Sequence, residues 1–193
     1  MLEQRENTHL GNVPTGAIIV GALEPYTEPV PAGWEVWGLN MAYRHQPNLD
    51  RLYLTDDLRA FPPEVPQEVN AANIPLVVTR KECPAINNVR VYTDEMFHDA
   101  FELFFVASVA AYAISDVIRE GYSEVVLHRM YIKGLSEDYR HHTQRVGYWA
   151  GQAMASGVRV VMDPDNFVCS PESLEFLHEA VIQRGVTPRY KRG

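Results

Sequence analysis

The sequence FFVASVAAYAISDVIREGYSEVVLHRM, residues 104–130, decides the predicted fold. Its apolar run from Phe104 to Ile118 ends in Arg119, Glu120 and Gly121, and a cation followed by a glycine is typical of a helix C-terminus. Directly afterwards, residues 124–127 form a short β-branched run that is typical of a strand buried on both faces. The stretch therefore predicts a helix followed by a buried strand.

The same order of elements repeats further along the chain. A predicted helix from Thr143 to Ser156 is followed by Gly157 and by the strand VRVVM at 158–162. Helices that alternate with buried strands are typical of a parallel sheet covered by helices. We therefore expect an α/β, Rossmann-like three-layer fold with a mostly parallel sheet.

Length and composition indicate one globular domain, because the chain has 193 residues, of which 46% are hydrophobic and 22% are charged. We expect a single Rossmann-like domain over residues 1–193, with flexible ends at 1–14 and 187–193. The formal charge of −8 opposes binding to a nucleic-acid backbone, which requires clustered lysine and arginine. No nucleic acid is expected as a partner, and the basic tail at 189–193 is interpreted as a solvated end.

The sequence indicates neither a membrane segment nor export. No apolar run approaches the ~18 residues of a spanning helix, because Ser108, Ser115 and Asp116 interrupt the best candidate. The polar N-terminus lacks the apolar core of a signal peptide, so we expect a cytoplasmic protein without a membrane partner. Cys83 and Cys169 are interpreted as reduced thiols, since no CxxC or histidine spacing suggests zinc.

Polar and glycine residues follow the strands predicted at 16–22, 34–40 and 51–55. Parallel strands place their carboxyl ends at one edge of the sheet, where open α/β sheets bind ligands. The candidate ligand-binding residues at these strand ends are Gly21, Ala22, Asn40, Asp56 and Asp57. Two further strands are predicted at 75–79 and 88–92, and the proline-rich connection at 60–75 has room for at most one short helix.

These strand-end residues have structural alternatives. Gly21 and Ala22 either contact phosphate through backbone N–H groups or form a plain turn. Asp56 and Asp57 either orient a ribose hydroxyl, hold a divalent metal ion, or cap the segment that follows them. The chain has no GxGxxG sequence and no Walker lysine, so no dinucleotide or metal motif identifies a cofactor, and a nicotinamide-dependent oxidoreductase is poorly supported.

The order of these elements resembles a known family. The strands IIVGA, VWGLN and LYLTDD, the 104–127 stretch and QRVGYWAGQAMASGVRV at 144–160 are similar to a Rossmann-like family that is common in bacteriophage genomes. That family looks related to 6-hydroxymethylpterin pyrophosphokinase-like proteins (domain of unknown function 115) and, distantly, to sialyltransferases of glycosyltransferase family 42. The resemblance covers about residues 16–168 and rests on ordered patterns, without a single diagnostic motif.

The resemblance implies several site residues. In the sialyltransferase-like members a GxGPS-type turn holds the nucleotide; here Gly21 is kept and the phosphate-facing serine is not. Asn40 matches the asparagine after the second strand, and Ser108 matches the serine at the start of the long helix, where a hydroxyl and helix amides meet an anion. HisArgMet at 128–130 replaces the family's GVD tripeptide, and the missing carboxylate argues against metal-assisted chemistry.

The predicted loop GLSEDYRHHTQR at 134–145 matches the acidic EY…QR loop of that family. The positions that match the loop motif are Glu137, Tyr139, Gln144 and Arg145. The candidate catalytic residues in this polar cluster are His128, His141, His142 and Glu137. One imidazole would act as general base toward an acceptor hydroxyl, and Arg145 would neutralise a leaving diphosphate. In the alternative, His141 and His142 are solvated, and Arg145 pairs with Glu137 or caps the next helix.

The aromatic residues Tyr148 and Trp149 share a helical face with Gln152. They are interpreted as core or subunit interface, and a homodimer is a candidate assembly because dimers are the commonest closed oligomers. The leading hypothesis is a phage-type protein that binds a nucleotide or nucleotide sugar and transfers a glycosyl or phosphoryl-type group. The alternative is a non-catalytic ligand-binding or protein-interaction module on the same fold.

Overall fold

The computed structural model describes residues 15–22, 24–55, 61–92, 108–130 and 137–162, and for 137–143 it describes the backbone alone. The strands in these segments are β1 (Gly16–Val20), β2 (Trp34–Leu39), β3 (Arg51–Leu54), β4 (Leu76–Thr79), β5 (Val89–Val91), β6 (Glu124–His128) and β7 (Arg159–Met162). The helices are a 3-10 helix (Asn40–Arg44), α1 (Val65–Ala71), α2 (Val109–Glu120) and α3 (Glu137–Ala155).

The seven described strands form one sheet in the order β5-β4-β3-β2-β1-β6-β7, and every neighbouring pair is parallel. The chain adds strands outward from β1 to β5 on one side and then places β6 and β7 on the other. Val20, the last residue of β1, is level with Gly38 in β2 and with His128 in β6. The predicted α/β, Rossmann-like fold is confirmed, and the described sheet is entirely parallel.

Helices cover both faces of this sheet. On the first face, α2 and α3 pack against side chains that include Ile19 and Leu127. On the second face, α1 and the 3-10 helix pack against side chains that include Ile18 and Leu52. Crossover connections in parallel sheets are right-handed, so connections that run in opposite directions along the sheet place their helices on opposite faces. The result is the predicted three-layer arrangement.

The long apolar helix begins and ends at residues with recognisable capping roles. The Oγ of Ser108 accepts a hydrogen bond from the backbone N–H of Ala111 at 3.2 Å, which is the contact of an N-cap. At the other end Gly121 has a φ of +80°, and the backbone N–H of Tyr122 donates to the carbonyl of Val117 at 3.1 Å. The predicted helix stop at Gly121 is therefore confirmed. Residues 104–107, which the prediction included in the helix, lie outside the described residues.

The predicted start of the next helix was wrong. α3 begins at Glu137, not at Thr143, so residues 137–145 are helical and do not form the predicted loop. This segment contains no glycine or proline, and its first acidic residues favour the positive end of the helix dipole. A polar stretch was interpreted as a loop although its residues are compatible with a solvated helix.

The smaller elements agree with the sequence. α1 (Val65–Ala71) is the one short helix that the connection at 60–75 was expected to hold, although residues 56–60 lie outside the described part of the chain. β4 and β5 lie within the strands predicted at 75–79 and 88–92. Among the helices that the structure describes, none is long and apolar enough to cross a membrane.

A fully buried carboxylate fastens α2 to the sheet. The side chain of Asp116 is 0% exposed. It accepts hydrogen bonds from the Tyr53 hydroxyl at 2.9 Å and from Nη1 of Arg119 at 2.8 Å, and it also pairs with the guanidinium of Arg90. Burial raises the pKa of Asp116, whereas Arg90, Tyr53 and Arg119 favour its charged form. The ion pairs compensate a charge that burial alone would disfavour.

Arg51 extends this cluster to the amino end of β2. Its Nε donates to Oε2 of Glu35 at 3.0 Å, its Nη1 donates to Oε1 of Glu120 at 2.8 Å, and its Nη2 donates to the Tyr122 hydroxyl at 2.9 Å. The guanidinium carbon lies 4.4 Å from the centre of the Trp37 ring, a cation–π distance. We define the arginine network as these residues and the Asp116 cluster: Glu35, Trp37, Arg51, Tyr53, Arg90, Asp116, Arg119, Glu120 and Tyr122.

Asp116→Asn is expected to lower the free energy of unfolding by about 3 kcal/mol, because it leaves Arg90 and Arg119 without their buried anion. Urea unfolding at pH 7 measures the loss. Glu68→Gln is the matched control, since it neutralises a carboxylate in a largely exposed pair with Arg44, and it should change stability by less than about 1 kcal/mol. Equal losses in the two variants would contradict a special role for the buried carboxylate.

The Tyr43 hydroxyl donates to Oε2 of Glu68 at 2.7 Å, and burial together with this hydrogen bond raises the pKa of Tyr43 to about 12. Because the folded state holds this proton more tightly than the unfolded chain, Tyr43 contributes stability that is lost as the pH rises from about 10 toward 12. Urea unfolding at pH 9 and pH 11 should therefore show a smaller loss for Tyr43→Phe than for the wild type. An identical loss in both proteins would show that the pKa of Tyr43 is not raised.

Candidate functional site

The carboxyl edge of the sheet contains a topological switch point between β1 and β6. Strands are added in one direction from β1 to β5 and in the other direction at β6 and β7. Crevices at such points are the usual ligand sites of open α/β sheets. β1 and β6 end level with each other and β2 ends one residue further, so the last residues of these strands and the residues that follow them lie at this edge. They include the predicted residues Gly21, Ala22, Asn40 and His128.

Gly21 is required here by close packing. Its backbone N–H donates to the carbonyl of His128 at 2.9 Å, which continues the β1–β6 ladder by one residue. A β-carbon at Gly21 would overlap the backbone carbonyl of Arg129. The Gly21 amide that was predicted to meet phosphate is thus engaged within the sheet, and Ala22 is the next, half-buried, residue of the turn.

The residues that follow β2 and β6 both adopt left-handed backbone conformations. Asn40 has a φ of +50° and Arg129 has a φ of +49°. The other described non-glycine residues with positive φ are all asparagines, a type that tolerates this conformation well. For arginine the conformation costs roughly 1–2 kcal/mol. Such strain occurs preferentially at functional sites, so Arg129 is the feature of this edge that most needs an explanation.

The side chain of Arg129 is held at the same edge. Its Nε lies 3.1 Å from Oε2 of Glu24, a residue of the loop after β1. The Arg129 side chain is 26% exposed and that of Glu24 is 46% exposed. The switch point therefore presents a half-buried guanidinium whose carboxylate partner is the more exposed of the two.

His128 fixes the loop that follows β1. Its Nε2 lies 3.1 Å from the carbonyl oxygen of Pro25, and its ring makes an edge-to-face contact with Tyr26, with the ring centres 5.2 Å apart. The backbone N–H of Tyr26 donates to the side-chain oxygen of Gln46 at 2.7 Å. A carbonyl only accepts, so Nε2 of His128 is a donor in this contact and does not act there as a proton-accepting base. Burial, with a further contribution from Glu28, raises the pKa of Tyr26.

The first turn of α2 lies at the carboxyl edge, because the helix follows β5 and runs back along the sheet. The Ser108 side chain is 4% exposed and its oxygen caps the helix. One turn later, the Tyr112 ring packs edge-to-face on Tyr92 with centres 4.8 Å apart, and the guanidinium carbon of Arg80 lies 5.9 Å from the Tyr112 ring centre. The predicted anion-binding serine therefore has a capping role, with a cation nearby.

Several predicted residues are not brought to this site by the described structure. Gln144 and Arg145 are half-buried residues of α3. Glu137, Tyr139, His141 and His142 belong to the same helix, but their side chains lie outside the description, as do Asp56 and Asp57 entirely. Their catalytic, ligand-binding or metal-binding roles stay predictions. Among the described side chains, no group of three or more His, Cys, Asp or Glu residues could hold a metal ion.

The aromatic residues of α3 lie in the core. Tyr148 is 4% exposed and Trp149 is 6% exposed, and both belong to the cluster on the first face of the sheet. The interpretation of these residues as core is confirmed. These two buried side chains do not offer a surface to a second copy of the chain, and the homodimer stays a prediction.

Sequence reasoning missed Arg129, Glu24 and Gln46. HisArgMet at 128–130 was noted only for the carboxylate that it lacks. The position of Arg129 directly after a strand could have placed it at the edge, but nothing in the neighbouring sequence predicts its left-handed conformation. Gln46 and Glu24 act through contacts with residues distant in sequence, which no spacing rule identifies.

No family model, curated protein or solved structure matches this chain. The relationship to 6-hydroxymethylpterin pyrophosphokinase-like proteins and to family 42 sialyltransferases therefore stays a prediction. The residues of the carboxyl edge are the remaining indication of function.

Gly21→Ala is expected to lower the free energy of unfolding by about 2 kcal/mol, because its methyl group would have to displace the Arg129 carbonyl. Gly151→Ala is the matched control: nothing lies within 4 Å of a β-carbon there, and alanine should stabilise α3 by about 1 kcal/mol. Urea unfolding of the two variants tests the difference in sign. Two changes of the same sign and size would mean that β1 and β6 do not approach as closely as described.

Proposed function

We propose that this protein binds an anionic small molecule of the nucleotide or nucleotide-sugar type at the carboxyl edge, with Arg129 as its principal cationic contact. The observation that carries the proposal is the left-handed φ of +49° at Arg129, located at the switch point between β1 and β6. A strained arginine at the usual ligand site of this fold class is best explained by a requirement for its guanidinium.

The surroundings of Arg129 favour binding with little reorganisation. The Arg129 carbonyl occupies the space over Gly21 that a β-carbon would fill, and the preceding carbonyl, that of His128, accepts a hydrogen bond from the Gly21 N–H at 2.9 Å, so the strand end that carries the guanidinium is paired with β1. Guanidinium N–H groups match the oxygen atoms of phosphate in pairs, and such charge-assisted hydrogen bonds are stronger than neutral ones. A held, half-buried arginine therefore suits recognition of a phosphate or diphosphate group.

The overall charge makes a local cation necessary for such a ligand. With a formal charge of −8, the protein as a whole repels anions. Arg129, after β6, and Arg80, after β4, place positive charge at the carboxyl edge. At the other end of the strands, the guanidinium of Arg51 is engaged by Glu35 and Glu120. The carboxyl edge is thus where an anionic ligand would be attracted.

The candidate reaction is transfer of a glycosyl or phosphoryl group from the bound nucleotide. His128, His141 and His142 are its candidate bases, and His128 would have to release Pro25 to accept a proton through Nε2. That engagement favours a second candidate function, a non-catalytic nucleotide-binding module. Product formation from a radiolabelled nucleotide or nucleotide sugar distinguishes the two.

Titration calorimetry with ATP, CTP, UDP-glucose and inorganic diphosphate tests the binding proposal. At least one probe should bind the wild type, and Arg129→Gly should weaken that binding by at least tenfold, because a hydrogen bond to a charged group contributes roughly 1.5–3 kcal/mol. The same variant should not be destabilised by more than about 1 kcal/mol, since glycine adopts positive φ without strain while only a half-exposed ion pair is lost.

Arg159→Gln is the matched control for the loss of one arginine. Arg159 is 69% exposed and pairs with Glu124 at the amino ends of β6 and β7, so its replacement should leave binding unchanged. The proposal is wrong if no probe binds the wild type, or if Arg129→Gly binds as tightly as Arg159→Gln.

A further inference from the structure

The guanidinium that we assign to the ligand already has a carboxylate partner within the chain. Oε2 of Glu24 lies 3.1 Å from Nε of Arg129. We propose that Glu24 is an internal competitor for the anionic group of the ligand, so that its carboxylate and the ligand alternate at Arg129. The inference rests on the proposed function, because it assigns a specificity-determining residue to the same site.

The two partners differ in their freedom to move. The Glu24 side chain is 46% exposed, whereas that of Arg129 is 26% exposed. The backbone just before Arg129 is also tied to β1, because the His128 carbonyl accepts a hydrogen bond from the Gly21 N–H at 2.9 Å. A rotation of the Glu24 side chain into solvent separates the pair without moving the strand end. The carboxylate is therefore the partner that leaves.

The loop that carries Glu24 stays in place when the pair separates. The carbonyl of Pro25 is held by His128, and the backbone N–H of Tyr26 is held by Gln46. These contacts do not involve Glu24, so they hold the loop backbone whether or not the Glu24 carboxylate contacts Arg129. Glu24 consequently remains beside the Arg129 guanidinium and competes with each ligand that binds there.

The chemistry of the pair predicts a preference among ligands. Carboxylate and phosphate oxygens both accept hydrogen bonds from guanidinium N–H groups, so they compete for the same donors. A half-exposed ion pair is weak, and a ligand with several negative charges replaces it readily. A neutral or singly charged ligand does not repay the loss of the Glu24 contact. Glu24 therefore selects for diphosphate-bearing ligands over simple carboxylates.

Titration calorimetry with ATP and with inorganic diphosphate tests this inference on the full chain. Glu24→Gln should bind both probes about fivefold more tightly than the wild type, because it removes a competing charge whose half-exposed ion pair is weak. Glu28→Gln is the matched control, since Glu28 is an exposed carboxylate of the same loop, and its binding should be unchanged. In the Arg129→Gly background, Glu24→Gln should have no effect. Thermal unfolding of each variant checks that the fold is retained.

The outcomes separate this inference from the proposed function. If the wild type binds, Arg129→Gly binds weakly, and Glu24→Gln binds no more tightly than the wild type, Glu24 is not a competitor and the proposed site stands. Equal gains in Glu24→Gln and Glu28→Gln would show a general charge effect and overturn the inference. If neither the wild type nor Glu24→Gln binds either probe, both the competitor and the proposed diphosphate-bearing ligand are overturned.

Discussion

The buried carboxylate of Asp116 is the constraint on which the first face of the molecule depends. A charge with 0% exposure is costly unless it is paired and hydrogen-bonded. Its partners come from β3, from β5 and from α2 itself: Tyr53, Arg90 and Arg119. These partners pair with the Asp116 carboxylate when α2 occupies its observed position over the sheet. A slide of α2 along the strands would separate Asp116 from Tyr53 and Arg90 and leave the carboxylate buried without them.

This constraint links the two ends of the sheet. The arginine network joins the last turns of α2 to β2, β3 and β5. The first turn of the same helix then lies at the carboxyl edge. The network fixes the position of α2 over the sheet more than it stabilises the fold, because buried ion pairs are seldom a large net source of stability. Ser108 and Tyr112 owe their place at the edge to contacts that Asp116 and Glu120 make about one to three turns further along the helix.

The stabilising ion pairs and the proposed binding site lie toward opposite ends of the strands. At the amino half, charges are matched, as Arg51 with Glu35 and Glu120 shows. At the carboxyl edge the backbone carries strain at Arg129, and the cation there has a partly exposed partner in Glu24. The rule that parallel strands end at one edge placed Gly21 and Asn40 at this edge from sequence, as the structure has them. It did not reveal Arg129, because nothing in the neighbouring sequence predicts a left-handed conformation there, and its carbonyl lies against Gly21, a residue about a hundred positions away in the chain.

The sequence by itself determined the types of most elements and the class of fold. Runs of apolar and β-branched residues identified the strands, Gly121 ended α2, and alternation of helix and strand indicated a parallel sheet, because these signals depend on local burial and backbone preference. The strand order and the ionic partners of Asp116 and Arg51 were visible only in the tertiary structure. Those features depend on which distant segments pack together. A pattern of apolar residues predicts which side of a helix or strand is buried, but not which other segment covers it.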